Sequence, residues 1–373
     1  MLPRILLVTI SILAALAVTE IAVRLLPIGP IEIPLSRQKY QLSEIPGISY
    51  QCSPGFEDDH GLTFNEYGWR SPSLSKEKAD GTFRIAFIGD SVTHGVGVDR
   101  AETFPQLVTT LLQEHCAGDE VKKFEFINAA VSGYNLQDIA ATFEHLVLGF
   151  DPDLVIYTYC ANDPQQFSIE RERLLDAVDN KDQRRGLMER SRLWRILSAG
   201  RSAPEPEDPQ FAPWGEGQDH YYVRIHRDPN QWTPARQALK KIQELCALND
   251  IPLRGYLSPI LYDITDDNRY QLSSLEEFLA KQFAELDIEF HNLRPCLAEV
   301  ERRHGDVLPI RWGTARDGLH FNARGHGAVA AEMLTPLLDQ FPALHETDSL
   351  KASLERYRAG LLPDGSAPVV TEE

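Results

Sequence analysis

Four short stretches, far apart in the chain, carry side chains that fit one chemistry when taken together. Ser91 stands in Gly89-Asp90-Ser91, a small and turn-prone sequence. Asp317 and His320 lie three apart in Asp317-Gly318-Leu319-His320. That spacing lets a carboxylate accept from the imidazole Nδ1–H while Nε2 faces a hydroxyl. A serine hydroxyl needs such a base, and it needs donors aimed at the oxyanion formed when it attacks a carbonyl. Gly133 can present its backbone N–H at close range because it has no Cβ, and Asn162 offers a side-chain amide. Alone, each has a plainer reading: an N-cap serine, surface polarity, a turn glycine, a cap residue before Pro164. His94 is three residues after Ser91 but has no following acid to orient it, so it reads as a wall of the pocket. His326 reads as packing or capping in the closing helix.

These residues matter only if the fold brings them together, and the patterning around them says how. Residues 83–88 are an apolar run with one Arg, which suits a buried strand of a parallel sheet. From Glu102 the spacing becomes helical, with Phe104, Leu107, Val108, Leu111 and Leu112 on one side. Strand, turn and helix repeat in 124–130, 131–135 and 136–148, and a third strand, 153–159, runs into Asn162. Such a repeat implies a parallel sheet with crossover helices, whose ligands bind outside the carboxyl ends of the strands. Helices at 233–249, opened by Thr233-Pro234, at 273–286 and at 323–341, with strands at 252–258 and 288–293, complete the α/β pattern. Asp317 and His320 fall on a short turn before the last helix. Regularity fails over 165–232, an insertion holding Trp194, Trp214, Trp232, Tyr221 and Tyr222. Those aromatics suit either a cover for substrate or a small core of the insertion.

Through Gly89-Asp90-Ser91, Gly133, Asn162-Asp163 and Asp317-Gly318-Leu319-His320, in that order, the chain resembles the SGNH, or GDSL-like, hydrolase family. The resemblance covers about residues 83–338 apart from the insertion. It implies a three-layer α/β/α sandwich with a five-stranded parallel sheet, flavodoxin-like in order. It implies Ser91 as nucleophile, His320 as general base and Asp317 as its orienting partner. The oxyanion hole would be the Ser91 N–H, the Gly133 N–H and the Asn162 side chain. Residues 92–95, Val-Thr-His-Gly, depart from the family's commoner Leu or aromatic, which bears on the pocket and not on the central chemistry.

Length and composition bound the rest. The formal net charge of -18, from 37 basic and 55 acidic residues, argues against nucleic acid as a partner and against adhesion to anionic headgroups. The five cysteines, at 52, 116, 160, 246 and 296, form no Cys-x-x-Cys, and no His pair stands at metal spacing, so neither a metal nor a cofactor is expected. Cys116, Cys160 and Cys246 read as small buried thiols. Residues 5–19 are almost wholly apolar, with Arg4 ahead of them, so 1–26 is expected to be a membrane anchor that leaves the rest outside the cytoplasm. A removed signal peptide is the alternative. Residues 27–80 form an irregular leader, 81–341 the hydrolase domain, and 342–373 a C-terminal helix with a disordered end. The expected activity is hydrolysis of an acyl or acetyl ester, possible substrates being small molecules or esters on a cell-envelope glycan or lipid. Acyl transfer would use the same residues, and a non-catalytic carbohydrate-binding module could keep the same fold. Nucleotide binding at 89–97 is disfavoured, because the Gly-Lys-Ser/Thr ending is missing and Asp90 stands where phosphate would sit.

Overall fold

Where a strand has both faces covered, apolar side chains run on without alternation. Residues 154–159 are the clearest case, with all six buried. The computed structural model describes residues 2–25, 38–58, 61–118, 121–175, 220–305, 308–312, 315–340 and 348–361. In the leader, β1 (Tyr40–Leu42) and β2 (Tyr50–Cys52) pair antiparallel. β3 (Thr82–Gly89), β4 (Lys123–Asn128), β5 (Leu154–Tyr159), β6 (Leu253–Leu257) and β7 (Glu289–Asn292) form one sheet in the order β4-β3-β5-β6-β7. Every pairing in it is parallel. β8 (Pro309–Trp312) and β9 (Ala315–Phe321) make a separate antiparallel ribbon.

Helices cover both faces, giving the three-layer α/β/α sandwich. Phe104–Cys116, Arg294–His304, Ala323–Gln340 and Asp348–Arg358 pack with one another in one layer; Leu136–Thr142, Tyr221–Arg227, Pro229–Leu248 and Ser273–Glu285 make up the other. Ile85 and Phe87 of β3 are fully buried between the layers, each worth about 1.5–3 kcal/mol by removal from water. Because β3 sits between β4 and β5, the crossover from β3 to β4 runs one way along the sheet and the crossover from β4 to β5 runs back past β3 the other way. That is the switch point at which an open α/β sheet leaves a crevice at its carboxyl edge.

Several boundaries differ from the sequence reading for local reasons. The stretch expected as one helix over 136–148 is α-helical only to Thr142, then widens into a π turn over Phe143–Val147 and tightens over Leu148–Phe150. The helix expected to open at Thr233-Pro234 opens one turn earlier, because Asp228-Pro229 carries the same signal: the Asp228 side chain accepts from the Asn230 N–H, and Pro229 takes the first turn. Pro234 lies inside that helix. The stretch expected to be irregular over 165–232 is helical at 169–175 and again at Tyr221–Arg227, and residues 176–219 lie outside the described residues. Trp232 packs on His226 and Phe278 against the main core, whereas Trp194 and Trp214 lie outside the described residues. The end expected to be disordered, beyond residue 361, also lies outside them.

The leader is not a bystander. Tyr50, Cys52, Phe64 and Trp69 are buried in the same core as the sheet. At the amino end, Leu2–Leu25 is a single helix of 24 residues, whose window Leu6–Val23 has a mean hydropathy of 2.4. At ~1.5 Å per residue it exceeds the ~30 Å of a bilayer's hydrocarbon core, the length that an anchor needs; a signal sequence meets the same test.

Candidate active site

Gly89 ends β3, and the chain turns at once into a four-residue helix, Ser91–His94. Asp90 caps it, accepting the Val92 N–H on Oδ1 at 3.1 Å, so Ser91 is held in the first turn facing the crevice. Gly95 closes the turn in the left-handed region at φ 82. The leader residue Arg70 fixes this exit, donating to the carbonyls of His94 (3.0 Å), Gly95 and Val98 (2.5 Å).

Asp317 and His320 are not on a turn before the helix, as the sequence suggested. They sit in a bulge of β9. Pro309 pairs with Phe321 and Arg311 with Arg316, so two steps along β8 match five along β9 and residues 317–320 are pushed out of the ribbon. Asp317 Oδ1 stabilises the bulge by accepting the N–H groups of Leu319 (2.8 Å) and His320 (3.0 Å). Its Oδ2 lies 2.7 Å from His320 Nδ1, and His320 Nε2 lies 2.7 Å from Ser91 Oγ. A carboxylate only accepts, so Nδ1 carries the ring proton and Nε2 is left to accept from the serine. Burial alone would raise the Asp317 carboxyl; the His320 ring and the two backbone N–H groups outweigh it and hold Asp317 well below the usual carboxylate range.

Gly133 follows β4 at φ 79, and a Cβ there would stand 2.5 Å from Glu170 Oε2 and 2.7 Å from Tyr50 Oη. Only glycine fits that turn without strain. Asn162 follows β5 and donates through Nδ2 to Asp90 Oδ2 at 3.1 Å. That bond fixes which way the Asn162 amide faces and leaves the second N–H of the same group for the cleft. Ser91, Gly133, Asn162 and His320 line one cleft of about 140 Å³. Among the described residues, neither the Ser91 N–H nor the Gly133 N–H is engaged by a protein acceptor.

Residues 87–328 match the GDSL-like Lipase/Acylhydrolase family, a span of more than half the chain. The chain belongs to that family. It is therefore an ester hydrolase by family, as the order of its motifs led one to expect. Among curated proteins, none matches it in sequence. Several solved structures are similar. A member of the lipolytic protein G-D-S-L family from Veillonella parvula is 16% identical, with 68% of this chain and 96% of that chain covered and a TM-score of 0.38. An acetyl xylan esterase is 15% identical, covering 68% of this chain and 100% of that one, TM-score 0.41. A catalytic mutant of an acetylxylan esterase from Geobacillus stearothermophilus is 15% identical, covering 73% and 100%, TM-score 0.39.

In this GDSL-like hydrolase His94 and His326 take structural places. His94 does not line the cleft; it is buried behind it, Nδ1 bonded to the Ala130 carbonyl at 3.0 Å and its ring edge-on to Phe64. Burial, then the charge of Arg70, hold it well below the usual histidine value, so it stays neutral. His326 accepts the Phe104 N–H at the start of the helix Phe104–Cys116 and stacks on the Phe104 ring. All five cysteines are free thiols, four of them buried. The sequence reading gave Tyr50 no role and met Arg70 only as the end of 64–70, the most structured-looking run of a leader rich in Pro, Ser and charge, with no function attached to it.

Behind Asn162, Asp163 and Asp90 come close to each other and to the Cys160 thiol, one ligand atom of each lying within 4.8 Å of the others. Asp163 Oδ2 accepts from the Tyr157 hydroxyl and from the Cys160 N–H, and among the described residues Oδ1 has no hydrogen-bond partner. Burial, reinforced by Asp90, pushes the Asp163 carboxyl well above its ordinary value, so the folded protein holds that proton to higher pH than the unfolded chain does. The unfolded chain releases that proton at ~3.9. Stability contributed by this group is thus full below that pH and is lost as pH rises toward the folded value. Asp163→Asn keeps the shape without the titration. Relative to the wild type, its melting temperature is expected to rise as pH increases above the ordinary carboxylate value; a difference that stays constant or shrinks would refute the assignment of the proton.

Proposed function

We propose that this hydrolase is a serine esterase acting through an acyl-serine intermediate. The observation that carries the reading is the unbroken chain from Ser91 Oγ to His320 to Asp317, with both links at 2.7 Å. Ser91 Oγ attacks the ester carbonyl as His320 Nε2 takes its proton. The imidazolium then passes that proton to the departing alcohol, leaving the acyl group on Ser91. Water, deprotonated by the same nitrogen, attacks the acyl-serine and releases the acid. Asp317 keeps the ring in the required tautomer and stabilises its charged form. The N–H groups of Ser91 and Gly133 and the Asn162 amide are the donors for the oxyanion, one such donor being worth about 3 kcal/mol of barrier.

A cleft of about 140 Å³ is near the size that holds a benzene-sized guest, which favours an acetyl or other short acyl group over a fatty chain. Its walls mix Phe167, Ile169 and Leu319 with Ser168, Gln165 and Glu170, a lining suited to the ester of a polar alcohol such as a glycan. The apolar amino-terminal helix supports a site of action at a membrane, with the catalytic part outside the cytoplasm. Two measurements test the reading together. A fluorophosphonate probe is expected to label the wild type and not Ser91→Ala, and p-nitrophenyl acetate is expected to be cleaved far faster than the palmitate ester. Labelling of Ser91→Ala at the wild-type rate would remove the nucleophile, and preference for palmitate would remove the short-acyl substrate.

A further inference from the structure

A donor to an oxyanion is only as good as the peptide group that carries it. The N–H of Gly133 belongs to the same planar unit as the carbonyl of Ser132, and in a trans peptide the two point in opposite directions. Whatever grips that carbonyl therefore aims that N–H. The grip comes from the leader: Tyr50 Oη donates to the Ser132 oxygen at 2.6 Å and is itself the acceptor for Ser168 Oγ at 3.1 Å. Tyr50 is fully buried and stacked edge-on with Tyr134 and Tyr40, and the Tyr134 hydroxyl in turn donates to the Tyr50 carbonyl. Ser49, its neighbour, donates its N–H to Asp138 Oδ1 at 2.7 Å, which ties β2 to the helix that follows the Gly133 turn.

We infer that Tyr50, a leader residue outside the family-matched span, is a positioning residue that orients and polarises the Ser132–Gly133 peptide for oxyanion binding. The inference rests on the reading of Gly133 as an oxyanion donor. A hydrogen bond to the carbonyl draws electron density from the amide nitrogen and makes its N–H a stronger donor, by some 10–30% in chained bonds. It also stops the peptide from rocking, so the N–H is already in place when charge develops. The ground-state ester carbonyl gains less from this than the oxyanion does. The effect should therefore fall on kcat and spare KM.

The test is Tyr50→Phe in the full chain, since the Phe ring refills the same space and only the hydroxyl is lost. With p-nitrophenyl acetate, kcat is expected to fall about fivefold to tenfold with KM unchanged within twofold. The fluorophosphonate labelling rate should fall by a similar factor, because the phosphonyl oxygen enters the same hole. Trp69→Phe, which loosens the leader where it packs on Tyr67 and Phe150, serves as the control for stability. It should lower the melting temperature with kcat unchanged. A folded Tyr50→Phe with wild-type kcat and labelling rate would overturn the inference while leaving the serine mechanism standing. If Ser91→Ala were still labelled, the serine mechanism itself would fall. If Trp69→Phe lost kcat in the same proportion as Tyr50→Phe, the effect would be general loosening of the leader and the inference would also be overturned.

Discussion

His320→Ala is expected to lower kcat by about a million-fold, the loss seen when the general base of a serine hydrolase is removed. Nε2 stands 2.7 Å from Ser91 Oγ, and none of the other histidines placed near the site can substitute. His94 is buried and bonded to Ala130, and His326 is committed to the Phe104 N–H. Ser91→Ala should cost about as much, and the double variant should be no worse than either single one. The two groups act in one step, so removing either removes the whole of it. Initial rates on a short p-nitrophenyl ester measure all three. Costs of the two single variants that multiply in the double would show that Ser91 and His320 act separately.

Asp317→Asn is expected to cost about 10⁴ in kcat with the fold intact. The reason lies in how the two carboxylate oxygens are used. Oδ1 takes the Leu319 and His320 N–H groups, so an asparagine would keep its oxygen there and turn its NH₂ toward His320 Nδ1. Nδ1 would then have to accept, the ring proton would move to Nε2, and the ring could no longer take the proton of Ser91. The same substitution removes a carboxylate held low in the folded state, whose stabilising contribution is present above the ordinary carboxylate value and disappears as acid protonates it. Wild type and Asp317→Asn should therefore converge in melting temperature on acidification. Steady-state kinetics paired with melting curves at neutral and acid pH check both halves; a variant with near wild-type kcat would deny Asp317 its orienting role.

The sheet and its order of elements could be read from residues because parallel strands buried on both faces leave an unmistakable apolar run. β3, β5 and β6 lie within one or two residues of their expected limits. The spacing of Asp317 and His320 was readable as a pair, but their backbone was not. A bulge depends on the pairing of β8 with β9, which no local pattern announces, and both ribbon strands are short and mixed in polarity. The helix Arg294–His304 went unread for a similar reason: its polar faces hide the few buried positions, Leu297, Ala298 and Val300. Arg70 and Tyr50 escaped because their work is done on carbonyls far away in sequence, 24 and 82 residues on. Contacts of that kind exist only once the chain has folded.

The leader's grip on the site has a consequence for how the protein can be processed. None of the described contacts that brace Ser91 or Gly133 uses a residue before Tyr40. Were the apolar helix to anchor the chain, a peptidase that cut it would leave every one of those contacts in place. A cut a dozen or more residues beyond Tyr40 would remove Tyr50 and with it the bond to the Ser132 carbonyl. The apolar helix and the contacts on the site thus share no residue.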